Sequence, residues 1–288
     1  MECLKLNNIS KKINGRKILD GISLAVDKGE IVGFVGPNGA GKTTTIRIIT
    51  NYIRPDCGNI IICGYDLNKE REKALSHISG IVETPSLFKY LSGLDNIEFV
   101  RKVKGISKEK MLKIIQDIGL TSRIKDKVSK YSLGMKQRLA LGIALLSDPD
   151  LLILDEPTNG LDPSGIIELR NMLVNINRKN GISIFISSHN LSEIRRICNR
   201  IIYIKDGKII ATKSYKNEQD LKKYRLKISD SEMVKHLAND CSSILNYVID
   251  GNYIAFDIEK NGLKNFMSCL IDNNINFENI ESLSDDYD

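Results

Sequence analysis

Gly36-Pro37-Asn38-Gly39-Ala40-Gly41-Lys42-Thr43 is the stretch whose reading decides the fold. It meets the spacing G-x-x-x-x-G-K-[ST] at every fixed position. Upstream, Glu30-Ile31-Val32-Gly33-Phe34-Val35 is mostly apolar and predicts a buried strand. Downstream, Thr44-Thr45-Ile46-Arg47-Ile48-Ile49 predicts the start of a helix. Strand, glycine loop and helix together form the context in which this spacing binds phosphate. Glycines let the backbone wrap a polyphosphate with its N–H groups turned inward. The helix aims its positive end at the same anion. Lys42 reaches the terminal phosphates, and the Thr43 hydroxyl offers a ligand to magnesium. A glycine-rich turn with a chance lysine is the bland alternative, and the fitting flanks argue against it.

A second apolar run, Leu151-Leu152-Ile153-Leu154, leads straight into Asp155-Glu156. This predicts a buried parallel strand with two carboxylates at its C-terminal tip, the edge where α/β sheets place ligands. Asp155 is the natural partner for the magnesium that Thr43 begins to hold, because a hard cation takes oxygen ligands. Glu156, one residue on, need not share its direction and is placed to act as general base on a water. The bland reading of two acids here is capping of the next helix. A third strand, Ile182 to Ser187, ends at Ser188-His189 on the same predicted edge. His77 and His236 lack such a setting and read as structural.

Around these lie the other elements. Leu4 to Ile9 and Ile18 to Val26 alternate as strands about the turn signal Asn14-Gly15. Asn59 to Ile62 predicts a short strand. Gly80-Ile81-Val82 predicts a buried strand that delivers Glu83 to its end. Ser92 to about Ser129 is helix-like and basic, with breaks at Gly105 and Gly119-Leu120. Met135 to Leu146 predicts an amphipathic helix. Pro163 suits the first turn of a further helix. Asp206-Gly207 separates two hairpin strands. Past residue 215 the pattern becomes strand, helix, strand, strand, helix, strand, a small ferredoxin-like order. The predicted division is therefore 1–215, with a helical subdomain at about 85–145, and a small α+β unit at 216–288.

Composition agrees with an ordinary globular chain of 288 residues, 42% hydrophobic and 27% charged. No run approaches the ~18 apolar residues of a membrane span. The N-terminus lacks a secretion pattern, so a cytoplasmic location is expected. The six cysteines show no paired C-x-x-C spacing and are expected to be reduced, packed thiols rather than a metal site or a disulfide framework. The net charge of +6 is uneven: residues 211–288 carry 9 basic and 14 acidic side chains, and the rest carries 33 and 22. Residues 101–130 hold ten basic and three acidic groups. A solvated helix face, a contact with an anionic surface such as lipid headgroups, and nucleic acid all stay open for that stretch.

With these motifs in order, residues 2–212 resemble the ATP-binding subunit of an ATP-binding-cassette transporter. Residues 36–43 are similar to the family's Walker A loop and 151–156 to its Walker B strand. Ser132-Leu133-Gly134-Met135-Lys136-Gln137-Arg138 resembles its signature, Gly160-Leu161-Asp162-Pro163 its D-loop, and Ser188-His189 its switch histidine. The resemblance implies an α/β P-loop NTPase cassette with a RecA-like core, an N-terminal antiparallel β subdomain and a helical subdomain. It implies that Gly36 through Thr44, Ser132, Gly134, Met135 and Asp162 bind ATP, with Ser132 and the Gly134 N–H facing the γ-phosphate across a dimer interface with a second copy. Glu156 and His189 would be catalytic, and Thr43, Glu83 and Asp155 would hold Mg2+. Four positions depart from the pattern. Leu133 and Met135 alter the signature, Ile13 stands where an aromatic stacks on adenine, and Glu83 replaces glutamine. Glu83-Thr84-Pro85 and the Ser-Leu-Gly-Met-Lys-Gln form are similar to the subgroup that expels bacitracin- and lantibiotic-type peptides through separate membrane permeases. A permease helix is expected to dock at about Pro85 to Ile97. No nucleic-acid partner is expected, and a ribosome- or DNA-directed ATPase is the alternative.

Overall fold

Two stretches of continuous apolar sequence, one before the glycine loop and one before Asp155, become the centre of a sheet buried on both faces. The computed structural model describes residues 2–82, 86–215, 221–228, 244–259, 262–273 and 275–283, together with Glu232, Val234 and Ala238. The chain forms two units, Met1–Ser214 and Tyr215–Asp288.

In the first unit, β1 (Glu2–Ile13) and β2 (Arg16–Asp27) form a hairpin. Its turn residues Asn14 and Gly15 have φ of 49° and 76°, the left-handed pair that matches strand twist. β1 also pairs with β4 (Cys57–Ile62), and β4 with the short β5 (Tyr65–Asp66), giving an antiparallel sheet in the order β2-β1-β4-β5. The second sheet contains β3 (Ile31–Val35), β6 (Ile78–Ile81), β7 (Leu151–Asp155), β8 (Ser183–Ser188), β9 (Arg200–Lys205) and β10 (Lys208–Ser214), in the order β10-β9-β3-β8-β7-β6. Its strands run parallel except for the edge strand β10. Every residue of β3, β7 and β8 is buried, as a parallel sheet covered on both sides requires. The crossovers are α1 (Lys42–Ile49) after β3, α6 (Pro163–Asn180) between β7 and β8, and α7 (Leu191–Arg195) between β8 and β9. α2 (Arg71–Ser76) lies ahead of β6 and was not anticipated. Only Ala74 of it is buried, so it carries no apolar stripe for a periodicity argument to find.

Between β6 and β7 the chain inserts α3 (Gly93–Val103), α4 (Lys108–Asp117) and α5 (Leu133–Leu145). Ser92 and Asp95 form a capping box on α3, and Ser107 caps α4. Gly105 and Gly119 follow these helices with φ of 66° and 64°, the left-handed stops expected of them. The expected amphipathic helix over Met135 to Leu146 is corrected in two respects. It starts at Leu133, because Ser132 caps it, and it is buried on more than one side, at Gln137, Leu139, Leu141, Gly142, Ala144 and Leu145. At Gly142 a Cβ would stand 2.6 Å from Ile118 Cδ1, so α5 closes on the segment after α4 only because that side chain is missing.

The second unit contains β11 (Leu221–Ile228), β12 (Ile244–Asp250), β13 (Tyr253–Glu259), α8 (Gly262–Asp272) and β14 (Phe277–Leu283). Its sheet order is β12-β13-β11-β14, antiparallel throughout, the arrangement a ferredoxin-like chain order produces. Its own core includes Leu226, Val234, Phe256, Phe266 and Leu270.

One ion pair fixes where β9 enters beside β3. Arg200 donates from Nε to Glu30 Oε1 at 2.8 Å and from Nη2 to Glu30 Oε2 at 2.6 Å, and Nη2 also reaches the Ala25 carbonyl at 2.8 Å. Glu30 is 7% exposed, so removing its partner leaves a buried carboxylate uncompensated. Arg200→Met should therefore cost about 3 kcal/mol in urea unfolding. The Glu30→Gln/Arg200→Met double variant should lose clearly less than the sum of the two single losses.

Candidate active site

Register carries the site residues to one edge. β3 pairs with β8 so that Val35 stands opposite Ser188, and β7 pairs with β8 so that Asp155 stands opposite Ser187. The chain leaves these strands at Gly36, Glu156 and His189, which therefore emerge together at the C-terminal edge of the sheet.

The glycine loop begins where a side chain has no room. A Cβ on Gly36 would lie 2.2 Å from the Ile204 carbonyl oxygen. Gly41 has φ of 109°, and a Cβ there would lie 2.6 Å from Leu19 Cδ2. The turn after β9 braces the loop. Gly207 N–H donates to the Ala40 carbonyl at 3.0 Å, and the Gly207 carbonyl accepts from Asp20 N–H at 2.9 Å. α1 follows at once, with Thr43 and Thr44 half-buried in its first turn and the Thr45 hydroxyl donating to the Gly41 carbonyl at 2.9 Å.

Lys42 is 5% exposed. Its ammonium donates to the carbonyls of Gly36 and Pro37 at 2.7 and 3.2 Å and lies 3.0 Å from Glu156 Oε1. The other Glu156 oxygen, Oε2, lies 2.6 Å from His189 Nδ1. Burial pushes the Glu156 carboxyl upward, but the hydrogen bonds from His189 and Lys42 outweigh it and hold the group below its usual range. Glu156 is therefore a carboxylate at neutral pH. Its backbone has φ of 48°, left-handed geometry that a residue other than glycine adopts at a cost of about 1–3 kcal/mol. That kink separates the two adjacent acids. Glu156 turns to Lys42 and His189, whereas Asp155 stays in the sheet.

Ser187 joins them. Its hydroxyl donates to Asp155 Oδ1 at 2.6 Å and accepts the Glu156 N–H at 2.9 Å. The sequence reading missed this residue. The available signal was a polar pair, Ser187-Ser188, directly after the apolar run Ile184-Phe185-Ile186. Asp155 is 5% exposed and receives a neutral hydroxyl, so a cation fits its remaining capacity.

Ser132, Gly134, Met135 and Asp162 form a second group. Ser132 Oγ accepts the Met135 N–H at 3.2 Å at the exposed start of α5. Gly134 and Gly160 face the side chains of Leu161 and Leu133, so the start of α5 packs on the loop before α6. Asp162 precedes α6 and accepts the Ser164 hydroxyl at 2.5 Å, chiefly through which its carboxyl is held below the usual range. Ile13 ends β1 and is 40% exposed. Glu83, Thr84 and Pro85 lie outside the described residues.

A glycine cradle opening a helix, a buried lysine within it and two carboxylates at the end of β7, one strand removed from β3, define a P-loop nucleotide-binding protein. The comparisons narrow the class. A family model described as ABC transporter matches residues 19–159. The uncharacterized ABC transporter ATP-binding protein YhcH of Bacillus subtilis (strain 168) is 50% identical over 216 residues, 75% of this chain and 71% of that one. The lantibiotic transport ATP-binding protein SrtF of Streptococcus pyogenes is 41% identical, covering 76% and 93%. The bacitracin transport ATP-binding protein BcrA of Bacillus licheniformis is 42% identical, covering 72% and 68%. Among solved structures, an ATP-binding subunit of an ABC transporter aligns with a TM-score of 0.66 at 30% identity, over 74% of this chain and 90% of that one. The dimeric cassette MJ0796 bound to ADP and Pi aligns with a TM-score of 0.66 at 26% identity, over 74% and 99%. The chain belongs to the ABC transporter family as an ATP-binding, ATP-hydrolysing subunit. Subunits of this kind work with membrane permeases and dimerise. Among the described residues no helix is long and apolar enough to cross a membrane.

Ser187→Ala should keep ATP binding but lower hydrolysis by about 10–100-fold, the usual loss when a group orienting a metal ligand is removed. Steady-state turnover beside equilibrium nucleotide binding reads the two effects separately.

Proposed function

We propose that this chain powers the expulsion of peptide antibiotics through a separate permease, and that two copies close on ATP with the phosphate loop of one facing Ser132, Gly134, Met135 and Asp162 of the other. The observation that carries the chemistry is the Lys42–Glu156–His189 chain of contacts at the sheet edge. The support for the cargo is the likeness to proteins named for lantibiotic and bacitracin transport and linearmycin resistance.

In this reading Lys42 and the loop N–H groups hold the β- and γ-phosphates. Glu156, ionised and fixed by two partners, accepts the proton of the attacking water. His189 steadies that carboxylate through Nδ1 and offers its other nitrogen to the γ-phosphate. Thr43 and Asp155, with Glu83, are the oxygen donors that would hold Mg2+, which neutralises phosphate charge when bound. The Gly134 N–H, near the start of α5, gives the second copy a positive helix end to bring to the γ-phosphate.

An aromatic group supports permease docking on the inserted helices, and with it a location at the cytoplasmic face of a membrane. Phe88, Tyr90 and Phe99 are 45%, 70% and 55% exposed, with ring centroids 6.1 and 6.0 Å from that of Phe88. The buried Asn96 side chain clamps the Phe88 backbone, accepting its N–H at 2.9 Å and donating to its carbonyl at 3.1 Å. Large apolar side chains presented rigidly to solvent mark an interaction surface.

Lys42→Ala should lose most ATP affinity. Glu156→Gln should bind ATP normally, turn over about 10²-fold or more slowly, and accumulate as a dimer on size-exclusion chromatography with MgATP. Expressed with its permease, the wild-type chain should lower sensitivity to a lantibiotic or bacitracin-type peptide, and Glu156→Gln should not. Full protection by that variant would refute the transport role.

A further inference from the structure

At the opposite end of β7 from Asp155, four side chains from four separate segments converge. Cys3 comes from β1, Cys63 from the turn after β4, His77 from the C-terminal cap of α2, and Asp150 from the residue before β7. His77 Nδ1 lies 2.7 Å from Asp150 Oδ2, and Cys3 Sγ lies 3.4 Å from Cys63 Sγ. The ligand atoms of Cys63, His77 and Asp150 all fall within 4.8 Å of one another. In a tetrahedral zinc centre, bonds of about 2.0–2.3 Å set ligand atoms roughly 3.3–3.8 Å apart. Cys3 Sγ stands outside that trio and donates to the Asp150 carbonyl at 3.7 Å, so ligation requires its side chain to rotate inward beside Cys63.

The surroundings hold the donors together. The backbone already holds two of the donors together, with Asp150 and Leu151 N–H both donating to the His77 carbonyl at 2.9 and 3.1 Å. Cys63 N–H donates to the Cys3 carbonyl at 2.8 Å, which fixes the two thiols side by side. The His77 ring stacks on Tyr65, with centroids 5.4 Å apart, so its orientation is set from one face. Cys63 and Gly64 occupy a turn with φ of 47° and 88°, where Asn-Gly is the common pair. A cysteine there serves something other than the turn. Among the described residues the cation beside the group is Lys28, whose ammonium is 3.9 Å from Asp150 Oδ1 on a side chain 66% exposed. It can withdraw into water.

We propose that Cys3, Cys63, His77 and Asp150 bind one thiophilic divalent cation of the zinc class. Two thiolates, an imidazole and a carboxylate make a soft-to-borderline donor set that selects zinc over magnesium. The centre is separate from the nucleotide site, since the five residues of β7 hold the two roughly 16 Å apart. The ion would pin β1, the turn after β4 and α2 to the start of β7, joining the antiparallel sheet to the core sheet. Binding displaces the thiol protons into solvent, with no change of oxidation state.

The test uses the full chain, kept reduced and stripped with a chelator. Titration with Co2+ should give thiolate charge-transfer absorption and intense tetrahedral bands at one ion per chain, displaced by Zn2+. Zn2+ should also raise the Tm. Cys63→Ser and Asp150→Asn should each weaken Zn2+ binding by at least about 10²-fold, whereas Cys57→Ser/Cys269→Ser should bind as wild type. Featureless Co2+ spectra from the folded wild-type chain would overturn the proposal, as would bands that persist in Cys63→Ser. Co2+ bound only at the nucleotide site would show no thiolate absorption and would count as the first of those results.

Discussion

A buried ammonium is the constraint around which the site is built. Lys42 is withdrawn from water, and an unpaired charge there would be prohibitive. Two loop carbonyls and one oxygen of Glu156 compensate it. Each of those partners has a structural condition of its own. The loop that carries those carbonyls keeps its path only because Gly36 and Gly41 have no side chain to strike Ile204 and Leu19. Glu156 reaches Lys42 only because its backbone takes the left-handed conformation, and the Ser187 hydroxyl receives the N–H at that kink. Strain at Glu156 is thus offset by an ion pair and a hydrogen bond, and the same contacts keep its carboxylate ionised and oriented.

Much of this was legible in the sequence, for identifiable reasons. The strands before Gly36 and Asp155 are uninterrupted apolar runs, and burial on both faces leaves no other pattern. The turns at Asn14-Gly15 and Asp206-Gly207 carry residues that tolerate positive φ, and both adopt it. The four strands of the second unit alternate clearly enough to order them. The motifs named Lys42, Asp155, Glu156 and His189, and the structure brings these into one cluster. The Ser187 bridge depends on register between β7 and β8, a non-local quantity that no window of one strand contains. α2 has almost no buried face. α5 is covered by several neighbours at once, so its burial exceeds what a single stripe of sequence suggested.

The two groups of site residues differ in their bonding. Lys42, Asp155, Glu156 and His189 are tied to one another directly or through Ser187. Ser132, Gly134 and Asp162 are occupied with helix starts, where polar groups satisfy local N–H donors or neighbouring hydroxyls. The two-copy arrangement proposed above uses this division, with the bonded cluster on the phosphate side and the helix starts on the other. The leucines at 133 and 161 hold that second half together by apolar contact with the glycines opposite.

The brace at Gly207 has a mechanical consequence. Its N–H grips the phosphate loop at Ala40, its carbonyl grips the first hairpin at Asp20, and a Cβ on it would strike the Ile18 carbonyl at 2.3 Å. Three segments far apart in the chain are thereby riveted at one residue that tolerates no substituent. Gly207 thus ties the first hairpin to the glycine loop, so a displacement of either is resisted by the other.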